Sequence, residues 1–329
     1  MAKTEFPDQI REAARAVWHA YIDFLTPFRP ELYEYCKRLT GDIWDAEDLV
    51  QDTILRGFGF LNQVQRPIDN PRGYMIRIAT NLWIDATRRR ASEAQAIAVE
   101  AAEPRTGTEA SLATLGARDA AARMMQMLAP QERAALVLRE VFDMKLEEIA
   151  QTLGTSVGAV KAALHRGRGA LQESESVRAW RRPKPSAALV ERFVDGLNAS
   201  DLRELLALMS DNATVEMPGN LLEVGRKDFE GKGSWLWQAV NVHPDLPAHL
   251  RPPKFVNEAG TLDGEPILLA FMVLGDSKLL MAVVRFDEED HRISRIRAYN
   301  FNPELIQEVG TRLGLHSGVV PYRFPTLLS

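Results

Sequence analysis

The chain has 329 residues, 46% apolar and 26% charged, an ordinary globular composition that excludes a chain disordered throughout or a collagen-like repeat. At roughly 150 residues per domain it holds about two domains. Lys and Arg number 40 against 45 Asp and Glu, a net charge of −5, so any nucleic-acid binding must reside in a local patch. The single cysteine, Cys36, has no partner for an internal disulfide or a cysteine zinc site. No apolar run approaches the ~20 residues that span a bilayer, and the N-terminus lacks a signal pattern. The reading is a soluble cytoplasmic protein with no metal, no cofactor and no membrane partner.

From Phe6 to about Arg90 the apolar spacing is helical, broken by turn signals at Thr26-Pro27 and Asp69-Asn70-Pro71. A helix over 7–25 carries Ile10, Ala14, Val17, Trp18 and Tyr21 as its apolar face. Leu32, Tyr35, Cys36 and Leu39 repeat the pattern at i, i+3, i+4, i+7. The next helix, about Asp45 to Leu61, turns Leu49, Val50, Thr53 and Phe58 inward. It sets Asp45, Asp48 and Asp52 on one face with Glu47 beside them. That acidic face is either a solvated surface or a dock for a basic partner.

The segment NPRGYMIRIATNLWIDATRRR forms a further helix with Met75, Ile78, Ala79, Leu82 and Ala86 as its stripe. Opposite lie Arg77, Thr80, Asn81, Trp83, Ile84 and Arg88. Cations that track phosphates and an aromatic ring for stacking suit an unpaired strand, whereas Trp83 alone equally suits the core. Residues 91–116, rich in Ala, Glu, Thr and Gly with no sustained apolar period, read as a linker.

The next helical unit contains KLEEIAQTLGTSVGAVKAALHRGRGAL, Lys145 to Leu171. Leu146, Ile149, Ala150 and Leu153 bury one helix, Gly154 turns the chain, and Thr155 or Ser156 caps a second helix buried through Val157, Val160, Leu164 and Leu171. The second helix exposes Lys161, His165, Arg166 and Arg168, and no acid occurs from Thr155 to Leu171. Small residues at Gly158, Ala159 and Ala162 allow close approach to a major groove. The alternative is a basic face on an ordinary helical hairpin.

A connector over 174–186 contains Arg181-Arg182-Pro183-Lys184-Pro185. Beyond it, two short helices precede strand-like runs at 213–217, 267–274, 279–286 and 293–299, an α+β pattern framed by a curved antiparallel sheet. Asp211, Glu216, His243, Asp263, Glu265 and His291 have no compact catalytic spacing, so no catalytic residue is assigned. Trp235, Trp237, Phe255, Phe271, Met272 and Met281 line a pocket or fill a core.

In this order and spacing the motifs resemble the extracytoplasmic-function (ECF) group of bacterial sigma factors over residues 28–172. DAEDLVQDTILRGF is similar to the helix that binds core RNA polymerase, the arginine-rich helix to the −10 element helix, and 128–171 to the −35-binding domain. The resemblance implies that Asp45, Glu47, Asp48 and Asp52 grip the β′ clamp. It implies that Asn62, Arg72, Arg77, Asn81, Trp83 and Arg88 hold the −10 strand. Ser156, Lys161, His165, Arg166 and Arg168 would hold the −35 duplex, in a domain that meets the β flap. ALVERFVDGLNASDLRELLALMSDNATVEMPG and Asn302-Pro303 resemble an appended SnoaL-like cone. The implied organisation is a region 2 type domain over 1–90, linker 91–116, region 4 type domain 117–173, connector 174–186 and SnoaL-like domain 187–329. The protein is then a non-enzymatic sigma factor whose last domain regulates it through a small molecule or an intramolecular contact. A ligand-responsive helix-turn-helix regulator without sigma function is the alternative reading.

Overall fold

The computed structural model describes residues 8–60, 68–100, 110–111, 128–173, 176–177, 184–217, 221–231, 234–240 and 255–318. The chain divides into two compact units, Met1–Trp180 and Arg181–Ser329.

Among the described residues the first unit is helical apart from a two-residue strand pair at 110–111 and 176–177. It begins with α1 (Asp8–Leu25), α2 (Arg29–Thr40) and α3 (Ile43–Phe60). Helix α2 stops at Gly41, whose φ of 75° lies in the left-handed region that glycine enters without cost. Asp42 then starts α3 by accepting the backbone N–H groups of Trp44 and Asp45, both at 2.9 Å. Leu32, Tyr35, Cys36, Leu39, Leu49 and Val50 are buried as their spacing requires. Helix α1 departs from its expected face. Tyr21, Ile22 and Leu25 are buried, with the Tyr21 hydroxyl donating to the Ile54 carbonyl at 3.0 Å, while Ile10 and Val17 stay 55% and 56% exposed. Two apolar stripes overlap on this helix, and only its C-terminal turns are buried.

Helix α4 (Pro71–Glu100) starts at Asn70, whose Oδ1 accepts the Gly73 N–H at 2.9 Å. It continues past Arg90, so residues 91–100, expected as linker, are helical. Ala and Glu are strong helix formers, and their lack of an apolar period does not interrupt hydrogen bonding along the axis. Next, α5 (Pro130–Leu136) leads through a π-helical turn at Val137–Val141 to α6 (Leu146–Leu153) and α7 (Val157–Glu173). Gly154 makes the turn at φ 62°, and Ser156 Oγ caps α7 by accepting from Ala159 N at 3.2 Å. Ile149, Ala150, Val160 and Leu164 are buried, as the helix-turn-helix pattern predicts. A Cβ on Gly167 would come within 2.6 Å of Leu136 Cδ1, so a larger residue there would have to push the Leu136 side chain aside where α7 meets α5.

The second unit packs α8 (Ala187–Asn198) and α9 (Leu202–Leu208) against one face of a six-stranded sheet. Its strands are β1 (Met209–Met217), β2 (Leu221–Val224), β3 (Phe255–Leu262), β4 (Glu265–Leu274), β5 (Ser277–Glu289) and β6 (Arg292–Tyr299), in spatial order β2-β1-β6-β5-β4-β3. Short helices α10 (Arg226–Phe229) and α11 (Trp235–Val240) follow β2. The sheet is mixed, not antiparallel throughout, because β1 pairs with β6 in parallel. The meander β3–β6 begins at the far edge and ends beside β1, so two antiparallel pieces meet at a parallel seam. Tight turns drive the meander: Asp263-Gly264 at φ 51° and 72° and Asp290-His291 at 50° and 61° give the positive φ pairs that match strand twist.

Phe193, Leu205, Val215, Phe229, Leu236, Val284, Phe286 and Ile296 belong to one buried cluster between helices and sheet. Helix α12 (Pro303–Leu313) packs on β5 and β3 and buries Leu305, Ile306 and Val309. Side chains occupy backbone groups on both edge strands. Asn198 bonds both backbone groups of Asn257 on β3, its Nδ2 to the carbonyl at 2.8 Å and its Oδ1 from the N–H at 3.1 Å. Asp228 accepts from Val224 N on β2 at 3.2 Å, and occupied edges resist pairing with other chains.

Candidate nucleic-acid interface

Helix α4 buries Met75, Ile76, Ile78, Ala79, Thr80, Trp83 and Ile84, leaving Arg77, Asn81 and Arg88 exposed along one side. The predicted polar face is therefore narrower than its sequence suggested. Thr80 is held by Tyr35, hydroxyl to hydroxyl at 2.6 Å, and burial pushes the Tyr35 phenol up. Trp83 is a correction: with the two helical modules in contact it is 4% exposed and offers no face to a single strand. Its indole carries all its apolar area on a position flanked by buried Thr80 and Ile84, so packing claims it. Arg72 lies exposed at the start of the helix and pairs with Glu31. Asn62 is outside the described residues.

On α7, Ser156, Lys161, His165, Arg166 and Arg168 are all exposed. Gly158, Lys161, His165 and Arg168 follow one line at helical spacing, the geometry of a helix laid in a major groove. Arg166 Nε meets Glu132 on α5 at 2.7 Å, and Arg168 pairs with Glu140. These ion pairs are exposed and each is worth about 0–1 kcal/mol, so a DNA phosphate can displace them.

The acidic face of α3 also needs a correction. Asp52 is exposed and Asp45 and Asp48 partly so, but Glu47 is fully buried, paired with Arg29 and accepting from Gln51 Nε2 at 2.7 Å. Arg29, itself 2% exposed, supplies the counter-charge from α2 that makes burying a carboxylate tolerable. Glu47 is thus an internal strut. Cys36 nearby is buried, and burial with the Glu47 charge holds its thiol well above the usual range.

The two helical modules touch directly. Arg133 on α5 reaches α2, where its Nη1 donates to the Leu39 carbonyl at 2.7 Å, and its guanidinium lies 5.1 Å from the ring centroid of Trp83 on α4. Phe142 packs edge-on against Tyr35 at 5.6 Å. Arg133 was not singled out in the sequence; only its place in a helix start, Pro130-Gln-Glu-Arg, was visible.

In the second unit the candidate acids do not converge. Glu216 points away from the buried cluster and lies 3.5 Å from Arg297, Glu265 makes a two-pronged bridge to Arg285 at 2.8 Å, and Asp263 and His291 sit in exposed turns. Asp211 is exposed and His243 lies outside the described residues. Of the aromatic candidates, Phe255 is 45% exposed and Phe271 is buried on the face opposite the helix-covered cluster, so neither lines a common pocket. The acid that does face that cluster is Glu223, cross-strand from Val215 and 8% exposed, accepting from Trp235 N at 2.9 Å. Burial raises its pKa. Three apolar neighbours in Leu221, Leu222 and Val224 hid its alternation. Among the described residues no His, Cys, Asp and Glu group could hold a metal ion, and no helix is long and apolar enough to cross a membrane.

An acidic helix, an exposed arginine-bearing helix after it and a helix-turn-helix whose second helix carries no acid from Val157 to Leu171 are the parts expected of a two-site transcription-initiation protein. Residues 24–93 match Sigma-70 region 2 and residues 118–171 match Sigma-70, region 4. The RNA polymerase sigma-E factor of Streptomyces avermitilis is 32% identical over 145 residues, 43% of this chain and 77% of that one. The ECF RNA polymerase sigma factor SigG of Mycobacterium tuberculosis is 28% identical over 307 residues, 83% of this chain and 79% of that one, so the likeness extends beyond the helical unit. The crystal structure of the Mycobacterium tuberculosis ECF sigma factor SigJ is similar at a TM-score of 0.31 and 18% identity, over 87% of this chain and 98% of that one. The chain belongs to the ECF sigma factors, proteins that bind RNA polymerase and promoter DNA.

Proposed function

We propose that this sigma factor docks core polymerase through Asp45, Asp48 and Asp52 on the β′ clamp, with its region 4 module on the β flap. Arg72, Arg77, Asn81 and Arg88, together with Asn62, hold the melted −10 strand. Ser156, Lys161, His165, Arg166 and Arg168 hold the −35 duplex. The observation that carries this reading is the separation of charge: an acidic side on α3, and exposed cations on α4 and α7 within a chain of net charge −5.

The boundaries 1–90, 117–173, 174–186 and 187–329 remain our proposed organisation, with α4 reaching into the segment 91–116. We read the second unit as a SnoaL-like regulatory domain without catalysis, and the chain as cytoplasmic. Transcription from purified core polymerase tests the reading. Asp48→Lys with Asp52→Lys is expected to abolish polymerase association and leave duplex affinity intact; retained association would overturn the acidic docking face, and a parent chain that binds duplex DNA but never polymerase would favour the helix-turn-helix regulator.

A further inference from the structure

Arg133 is a buried cation with no counter-charge among the described residues. It is 7% exposed, no carboxylate among the described residues pairs with it, its Nε–H has no acceptor, and burial lowers its pKa to about 10. It stays charged at neutral pH, held among the described residues by a carbonyl dipole at the C-terminal turn of α2 and by the π face of Trp83. A leucine would fill the same space without desolvating a charge, so for permanent packing an arginine is a poor choice. For a contact that must open it is a good one, because the guanidinium regains its hydration as soon as the modules part.

DNA geometry demands such an opening, given the two-element reading above. Elements centred at −10 and −35 lie about 25 base pairs apart, roughly 85 Å at 3.4 Å per pair. Modules that share Arg133, Trp83, Tyr35 and Phe142 in one contact do not reach that far: even α4, at about 1.5 Å per residue, is only about 45 Å long.

We propose that Arg133 is a releasable latch between the two DNA-binding modules, closed on Trp83 and the Leu39 carbonyl in the free chain and released when polymerase and promoter draw the modules apart. Closing aligns three contacts on one seam, the carbonyl hydrogen bond, the indole stack and the Tyr35–Phe142 edge contact. The guanidinium's planar fork serves the first two at once, which a lysine ammonium cannot do.

Energy transfer between dyes on Ala20→Cys and Ala170→Cys of the full chain reads the latch, both positions being exposed and Cys36 being buried and unreactive. Arg133→Ala and Arg133→Lys are each expected to lower the closed-to-open ratio about tenfold, with the helical circular dichroism and the −35 duplex affinity unchanged. Adding core polymerase and promoter is expected to drop transfer in the parent chain to the open value. Unchanged transfer in both variants overturns the latch, as does a promoter complex that keeps the free-chain value. Variants that open while the chain never associates with polymerase sink the promoter reading and leave the contact between the modules standing.

Discussion

Two buried arginines in the helical unit stand in opposite situations. Arg29 lies inside the first module against Glu47, a full counter-charge with Gln51 completing the shell. Arg133 lies between modules against a ring and a carbonyl. A compensated ion pair is lost only by unfolding the module that contains it, because either partner alone would be a naked buried charge. An uncompensated cation is released by moving one module away from another. The same residue type thus fixes one part of the molecule and leaves its neighbour detachable.

The largest effect that can break this comparison is Glu47→Ala. With Arg29 left unpaired it is expected to cost about 3–5 kcal/mol, read as a lower midpoint in denaturant; a loss below about 1 kcal/mol would mean Arg29 is rehydrated in place. Arg133→Ala, by contrast, is expected to change that midpoint far less while moving the inter-module distance. A third buried charge sharpens the point from the second unit. Burial raises the Glu223 pKa above its unfolded value, so its penalty is absent below the ordinary carboxylate range and grows as pH rises through the folded pKa. Glu223→Gln keeps an acceptor for Trp235 N and is expected to raise the melting temperature at pH 7 but not at pH 4. An equal shift at both values would show that the charge is not what matters. Smallest is Lys161→Ala, expected to shallow the salt dependence of duplex binding by about one phosphate contact; an unchanged slope would turn Lys161 away from the backbone.

Much of the fold was legible because local chemistry dictates it. Gly154 at a left-handed turn, Ser156 as a cap, and Asp263-Gly264 between strands each need only a few neighbouring residues to act, and each acts where its pattern appears. The exposed cations of α7 were legible for the same reason, since a stretch free of acids from Thr155 to Leu171 with one apolar stripe has only one way to face.

Residue periodicity alone was enough to determine the helical modules, the helix-turn-helix and the strand-rich second unit, because hydrogen bonding and apolar spacing act within a few turns of chain. Tertiary structure alone decided that Glu47 is inside, that Trp83 meets Arg133, that β1 and β6 run parallel and that Glu223 faces the core. In each case the deciding partner lies on another element, Arg29 for Glu47, α5 for α4 and Val215 on β1 for Glu223. A spacing rule records which face of an element is apolar and carries no information about what will cover it or cancel its charge.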